Sequence, residues 1–219
     1  MAVIKYSYKK DGKEKLSTNF SVYEFRCKDG SDAILISQEL VKVLQKIRTK
    51  FKKKLTITSG YRTSTYNRQI GGSYSSYHTK GMAADFVVEG VDPLVVAEYA
   101  HSILGSTGGV EVGSYDEGTD GYVHVDVRTT AWRAIRAQRS PNTYTTYLTF
   151  LPTVRYGSKG ASVKVLSRKL KKLGYMTSVK SQVDSAMYSS IKSFQTKSGL
   201  TADGICGAKT WKALVKELA

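Results

Sequence analysis

The sequence predicts an α+β protein: a domain built on a small, mainly antiparallel sheet with helices, followed by a small three-helix domain. Three observations lead there. Strand-like runs of period two are mixed with helical runs of period 3.6, without the regular strand-helix-strand rhythm of a parallel sheet. The 219 residues are more than one small core needs and enough for two. A Thr- and Tyr-rich stretch broken by Pro141 and Pro152 then separates the mixed segment from one that carries only helical patterns.

The elements follow in chain order. The opening MAVIKYSYKK alternates apolar and polar residues and has no continuous apolar region of the kind a signal peptide needs. ILISQELVKVLQKIRTKF repeats apolar residues at helical spacing, with Leu40, Val41, Val43, Leu44 and Ile47 on or near one face, and predicts an amphipathic helix. LTITSG alternates as a strand and breaks at Gly60, and AADFVV is a short apolar strand. DPLVVAEYAHSIL is a helix with Pro93 in its first turn, where a missing N–H is tolerated, and YVHVDVR alternates strictly. These place the first domain at residues 1–139 and a linker or packed extended arm at 140–156. Residues 157–219 carry three helical patterns: Val163, Leu166, Leu170 and Leu173; Met187, Ile191 and Phe194; and Trp211, Leu214, Val215 and Leu218. Phe194 and Trp211 read as core.

Charge divides the chain in the same way. Residues 151–219 hold 13 Lys/Arg against 3 Asp/Glu, a net +10, whereas residues 1–150 hold 21 against 15, a net +6. A surface of this sign draws polyanions, whether nucleic acid, an anionic membrane or an acidic wall polymer, and charge alone does not choose. No nucleic-acid motif accompanies it, and no run approaches the roughly 20 apolar residues that span a bilayer, so neither specific nucleic-acid binding nor membrane insertion is expected. Cys27 and Cys206 lie far apart, which fits neither a disulfide framework nor a thiolate metal cluster and fits a reducing compartment. A monomer made in a cytoplasm is expected.

The chemistry centres on SYHTKGMAAD, where His78 stands seven positions before Asp85, and on YVHVDVR, which supplies His124. Two neutral imidazoles and one carboxylate leave one tetrahedral position for water, the mark of a catalytic rather than a closed structural zinc site. Gly81 permits the bend that returns His78 to the strand carrying Asp85, and Ala83 and Ala84 keep that strand thin. The third histidine, His101 in AEYAHSIL, reads as an ordinary structural residue.

The wider context, SGYRTSTYNRQIGGSYSSYHTKGMAADF followed by GGVEVGSY and YVHVDVR, resembles the zinc D-alanyl-D-alanine carboxypeptidases and the related phage and bacterial L,D- and D,D-peptidases that cut peptidoglycan stems. The lead-in NFSVYEFRCKDGSD is similar too, so the resemblance covers roughly residues 19–133. It implies that His78, Asp85 and His124 bind Zn2+ and that Arg62 faces the substrate, where a guanidinium can hold a carboxylate or stabilise a developing oxyanion. The positions where relatives place a general base hold Gly121 and Tyr122. Asp126, on the same strand face as His124 and about 7 Å along the chain, is then a proton acceptor or a ligand-orienting carboxylate. Asp116, Glu117 and Asp120, in the loop YDEGTDGY, are its rivals.

The tail resembles the small peptidoglycan-binding module found beside wall hydrolases: FQTKSGLTADGICGAKTW carries the Phe-Gln, Gly-Leu, Asp-Gly and Thr-Trp landmarks, while the earlier Asp-Gly reads VDSAM. Together these imply a zinc-dependent peptidoglycan peptidase of the endolysin kind, acting on the wall after release, with peptidoglycan and anionic wall polymers as partners. A non-catalytic zinc-containing wall-binding protein is the competing reading, and a nucleic-acid binder is the reading from charge alone.

Overall fold

Strand β1 (Val3–Ser7) pairs antiparallel with β2 (Ala33–Ser37), placing Ile4 opposite Ile36 and Tyr6 opposite Ile34. Between them run a single helical turn, α1 (Tyr8–Asp11), and a 3₁₀ turn at Val22–Phe25 whose start is closed by a Ser21–Glu24 capping box. The run read as one helix from Ile34 onward is therefore split. Ile34 and Ile36 are β-branched, are buried, and take up the ladder to β1, so helix α2 begins only at Gln38 and ends at Phe51. Its buried residues are the five expected: Leu40, Val41, Val43, Leu44 and Ile47.

The computed structural model describes residues 2–113, 121–135 and 153–218. They fall into two units, Met1–Glu111 with Tyr122–Trp132, and Val112–Gly121 with Arg133–Ala219. Strands β3 (Leu55–Ser59), β4 (Ala83–Val88), β5 (Gly109–Gly113), β6 (Tyr122–Asp126) and β7 (Trp132–Ile135) form a five-stranded sheet in the order β3-β4-β6-β5-β7. Helix α3 (Ser64–Gln69) follows β3, with Thr63 as its N-cap. Helix α4 (Pro93–Leu104) follows β4. Asp92 accepts from the Leu94 N–H at 2.9 Å, and Pro93 occupies the first turn as the sequence predicts.

The antiparallel register sets the two faces of this sheet. Ala84 stands opposite Val125 and Phe86 opposite Val123; all four are buried, on the side where α2 and α4 pack. Because side chains alternate, Asp85, His124 and Asp126 project from the other face.

The second unit contains α5 (Ala161–Lys172), α6 (Ser185–Lys197) and α7 (Ala208–Leu218), the three helices expected. Val163, Leu166, Leu170, Met187, Ile191, Phe194, Trp211 and Leu214 are all buried, so Phe194 and Trp211 are core residues. Two short antiparallel bridges, Val154 with Cys206 and Lys159 with Gln182, tie the connecting segments together. Both cysteines are free and buried. Of the linker expected at 140–156, residues 140–152 lie outside the described residues. The α+β class, with a helical C-terminal part, is the one the sequence predicts.

Candidate metal centre

The site is assembled by strand register and one turn. Asp85 on β4 pairs directly with His124 on β6, and with Ser59 on β3. His78 arrives on a 3₁₀ turn, Tyr77–Lys80, that is closed by Gly81 in the left-handed conformation, φ 67°. Only glycine serves there: a Cβ at Gly81 would stand 2.4 Å from the Leu35 carbonyl oxygen.

Each ligand atom is then fixed from its far side. His78 Nδ1–H donates to the Gly60 carbonyl at 2.7 Å, which leaves Nε2 as the atom with a lone pair. That Nε2 lies 3.2 Å from Asp85 Oδ1 and 3.3 Å from His124 Nδ1, and Asp85 Oδ1 lies 2.8 Å from His124 Nδ1. Arg62 holds the other carboxylate oxygen, with Nη2 donating to Asp85 Oδ2 at 2.6 Å while its Nε donates to Ser59 Oγ at 2.8 Å. On the far side of His124, Nε2–H donates to Asp126 Oδ2 at 3.2 Å. Among the described residues, His78, Asp85 and His124 form the one group whose donor atoms lie within 4.8 Å of one another.

Burial and charge act in opposite directions across this cluster. Burial lowers the pKa of His78 and outweighs the nearby Asp85, keeping the imidazole neutral. Burial would also raise Asp85, but the two histidines beside it win and hold its carboxyl well below the usual range. For His124, burial is overruled by hydrogen bonds to Asp126 and Asp85, and its pKa rises to about 9. In the absence of a metal, His124 is thus an imidazolium that donates from both nitrogens.

Asp126 is fully buried and saturated with donors. It accepts from the backbone N–H of Gly109 and of Arg128, each at 3.1 Å, from Arg128 Nε at 2.7 Å, from Arg128 Nη2, and from His124 Nε2. Burial opposes its charge, but His124 and Arg128 outweigh it and push its pKa far down. Gly109 belongs to this arrangement, because a Cβ there would stand 2.1 Å from Asp126 Oδ2.

The structure therefore brings together Arg62, His78, Asp85, His124 and Asp126, and puts His101 on α4 outside the cluster. Asp116, Glu117 and Asp120 lie outside the described residues. Sequence reasoning passed over Arg128, although His124, Asp126 and Arg128 recur at the two-residue spacing of one strand face. It also passed over Tyr77 and Trp132, whose rings lie 4.4 and 4.7 Å from the Arg128 guanidinium, and Glu111, a buried acid between valines in β5.

The donor set fits zinc. Ligands about 2.1 Å from a tetrahedral ion stand about 3.4 Å apart, close to the separations of the three atoms here, and each ligand has the outer partner that orients such groups.

Comparison with known proteins divides the chain into two matched parts. Residues 159–214 match the peptidoglycan binding domain family. Among solved structures, the SleB N-terminal domain is 34% identical over 32% of this chain and 96% of its own, with a TM-score of 0.31. A Burkholderia AP3 phage endolysin is 40% identical over 29% of this chain and 24% of its own, TM-score 0.28. A peptidoglycan-binding protein from Clostridioides difficile, solved with glutamine hydroxamate, is 39% identical over 35% and 48%, TM-score 0.31. The chain thus spans about a quarter of the endolysin and about half of the clostridial protein. No curated protein matches it. Residues 17–126, half of the chain and the part that carries the His-Asp-His cluster, match peptidase M15, and the chain belongs to that family.

Proposed function

We propose that the protein is a zinc-dependent peptidoglycan peptidase that hydrolyses a peptide bond of the stem peptide or cross-link, an endolysin made in a cytoplasm and acting on the wall after release. One observation carries the reading: in an M15 chain, three atoms able to ligate a metal, one each from His78, Asp85 and His124, converge within 3.3 Å, each braced from behind. A bound zinc ion supplies Lewis acidity, polarising a carbonyl and lowering the pKa of water toward about 7.

The chain's own residues do the rest. His78 Nε2, Asp85 Oδ1 and His124 Nδ1 would hold the ion. Arg62 fixes Asp85 Oδ2, so that Oδ1 is the oxygen presented, and its positive charge beside the cluster would favour negative charge developing on a substrate carbonyl oxygen there. Asp126 orients His124. Its five donors make it a poor proton acceptor, which favours its rivals Asp116, Glu117 and Asp120 for that step. The basic C-terminal module holds the enzyme on peptidoglycan and its anionic polymers.

The experiment pairs elemental analysis with mass spectrometry of peptidoglycan digests, on wild type as purified, after chelation, and after zinc add-back. One zinc per chain, loss of new peptide termini on chelation and their return with zinc are expected. A zinc-loaded protein that binds wall and releases no termini would be a wall-binding protein without catalysis. Full activity after verified metal removal overturns the zinc mechanism.

A further inference from the structure

We infer that Arg128 is a positioning residue for the metal centre: its guanidinium cross-braces the two histidine-bearing segments and sets the spacing of their ligating nitrogens. The inference rests on the zinc reading above, and three contacts made by one planar group carry it. The Arg128 guanidinium carbon lies 4.4 Å from the centroid of the Tyr77 ring, and Tyr77 directly precedes His78 in the same 3₁₀ turn. It also lies 4.7 Å from the centroid of Trp132, whose ring meets the His124 ring edge to face at 6.3 Å and 88°. The guanidinium edge takes both oxygens of Asp126, Nε on Oδ1 at 2.7 Å and Nη2 on Oδ2, and Oδ2 is the acceptor for His124 Nε2–H.

Arg128 thus touches a neighbour of each ligating histidine and neither ligand itself. A planar cation is the group that can do this, because it stacks on aromatic faces while its edge forks onto a carboxylate. Without it, Asp126 would remain fully buried with one of its two cationic partners gone and with neither oxygen pinned by the guanidinium fork, so it would hold His124 in a less defined orientation. Tyr77 and His78 would at the same time lose their tie to β6. Both losses widen the range of separations between His78 Nε2 and His124 Nδ1, now 3.3 Å. Metal affinity is the quantity most sensitive to that separation.

The test uses the full chain and zinc, with affinity read by competition against a chromophoric chelator. Arg128→Ala is expected to weaken zinc binding about 10- to 100-fold, the usual cost of losing an outer partner of a metal ligand. Arg128→Lys should not restore it, since lysine can neither fork nor stack as a plane. Tyr77→Leu and Trp132→Leu should each weaken binding a few-fold, and less than additively with Arg128→Ala. Imidazole nitrogen NMR gives a readout that a merely structural role would not move: in zinc-loaded wild type His124 shows one Nδ1-ligating tautomer, and in Arg128→Ala a mixture. Unfolding midpoints of the metal-free variants check the fold, and if Arg128→Ala does not fold, Arg128→Lys decides. Wild-type zinc affinity in a folded Arg128 variant overturns the inference alone. Absence of zinc binding by wild type overturns the zinc reading and this inference with it.

Discussion

Each unit of the chain buries a polar cluster, and the two clusters are built to opposite ends. In the C-terminal unit, the Gln195 amide nitrogen donates within reach of Asp203 Oδ1 at 2.8 Å, the Ile205 carbonyl at 3.0 Å and Thr210 Oγ1 at 3.1 Å, while its oxygen accepts from the Gly204 N–H at 2.8 Å. Every polar atom of the amide has a partner of the opposite kind, its two N–H groups shared among three acceptors. Around His78, Asp85 and His124 only the outer atoms are matched in this way, by Gly60, Arg62 and Asp126, while the three inner atoms face one another. Three electron-rich atoms a few ångströms apart in a buried site repel unless a positive charge sits among them. Without metal, the hydrogen bonds to Asp85 and Asp126 that raise the pKa of His124 to about 9 favour a proton in that place. Burial of polar groups therefore does not mark a site by itself; convergence of lone pairs that only a cation can satisfy does.

The largest effect should come from removing an inner atom. His78→Ala, Asp85→Ala and His124→Ala should each lose most zinc at one equivalent and lower peptidoglycan hydrolysis by at least about 100-fold, because a metal site with two of three ligands holds its ion poorly. His101→Ala, on a residue outside the cluster, should keep zinc and activity near wild type. Equal losses in His101→Ala and His124→Ala would show that convergence of the three inner atoms is not what holds the metal.

A second effect, on the order of 3 kcal/mol, concerns the proton that substitutes for the ion. The folded-state pKa of His124, about 9, lies above the ordinary 6.5, so protonation of His124 favours the folded, metal-free protein. That stability is fully present below about pH 6.5 and is lost as pH rises through about 9. Chelated protein should accordingly unfold at a lower temperature at pH 9.5 than at pH 6, and His124→Gln should flatten this slope. Zinc should oppose the trend, since the ion competes with the proton for Nδ1. A metal-free unfolding midpoint that is level from pH 6 to 9.5 would show that no charge is needed among these atoms.

How much of this was legible in the sequence depends on how local each constraint is. β3 and β6 were readable because their alternation is contained within each run, β4 because it is a short continuous apolar run, and α4 because Asp92 and Pro93 mark its start within two residues. The bend between His78 and Asp85 was readable because Gly81 lies within the same short run, although the Leu35 carbonyl that excludes a side chain there was not. Strand β2 was hidden inside a helical pattern, since Ile34 and Ile36 fit both periods and only β1, some thirty residues away, selects the strand. The contact of Arg62 with Asp85, and the stacking of Arg128 between Tyr77 and Trp132, join segments whose proximity exists only once β3, β4 and β6 have paired. The role of Asp126 turned on the same fact: its spacing from His124 was visible, but its donors from Gly109 and Arg128 were not.

The smallest effect belongs to the matched cluster. Gln195→Ala would leave the Gly204 N–H, the Asp203 carboxylate and the Ile205 carbonyl without the amide that joins them, inside a turn that also carries Gly204 at φ 71°. Losing a buried hydrogen-bonding group of this kind costs about 1–3 kcal/mol, and about 2 is expected because part of the turn faces solvent. The loss should be confined to the module: faster amide hydrogen exchange in α6 and α7 and an earlier change in Trp211 fluorescence on denaturation, with zinc content and imidazole signals of His78 and His124 unchanged. The contrast is sharpened if Gln195→Ala lowers wall retention only under conditions where the module unfolds, because its hydrogen bonds then serve the fold alone. Were zinc affinity to fall in Gln195→Ala while α6 and α7 kept their protection, the matched cluster would be acting on the metal centre, and the division of labour between the two units would have to be redrawn.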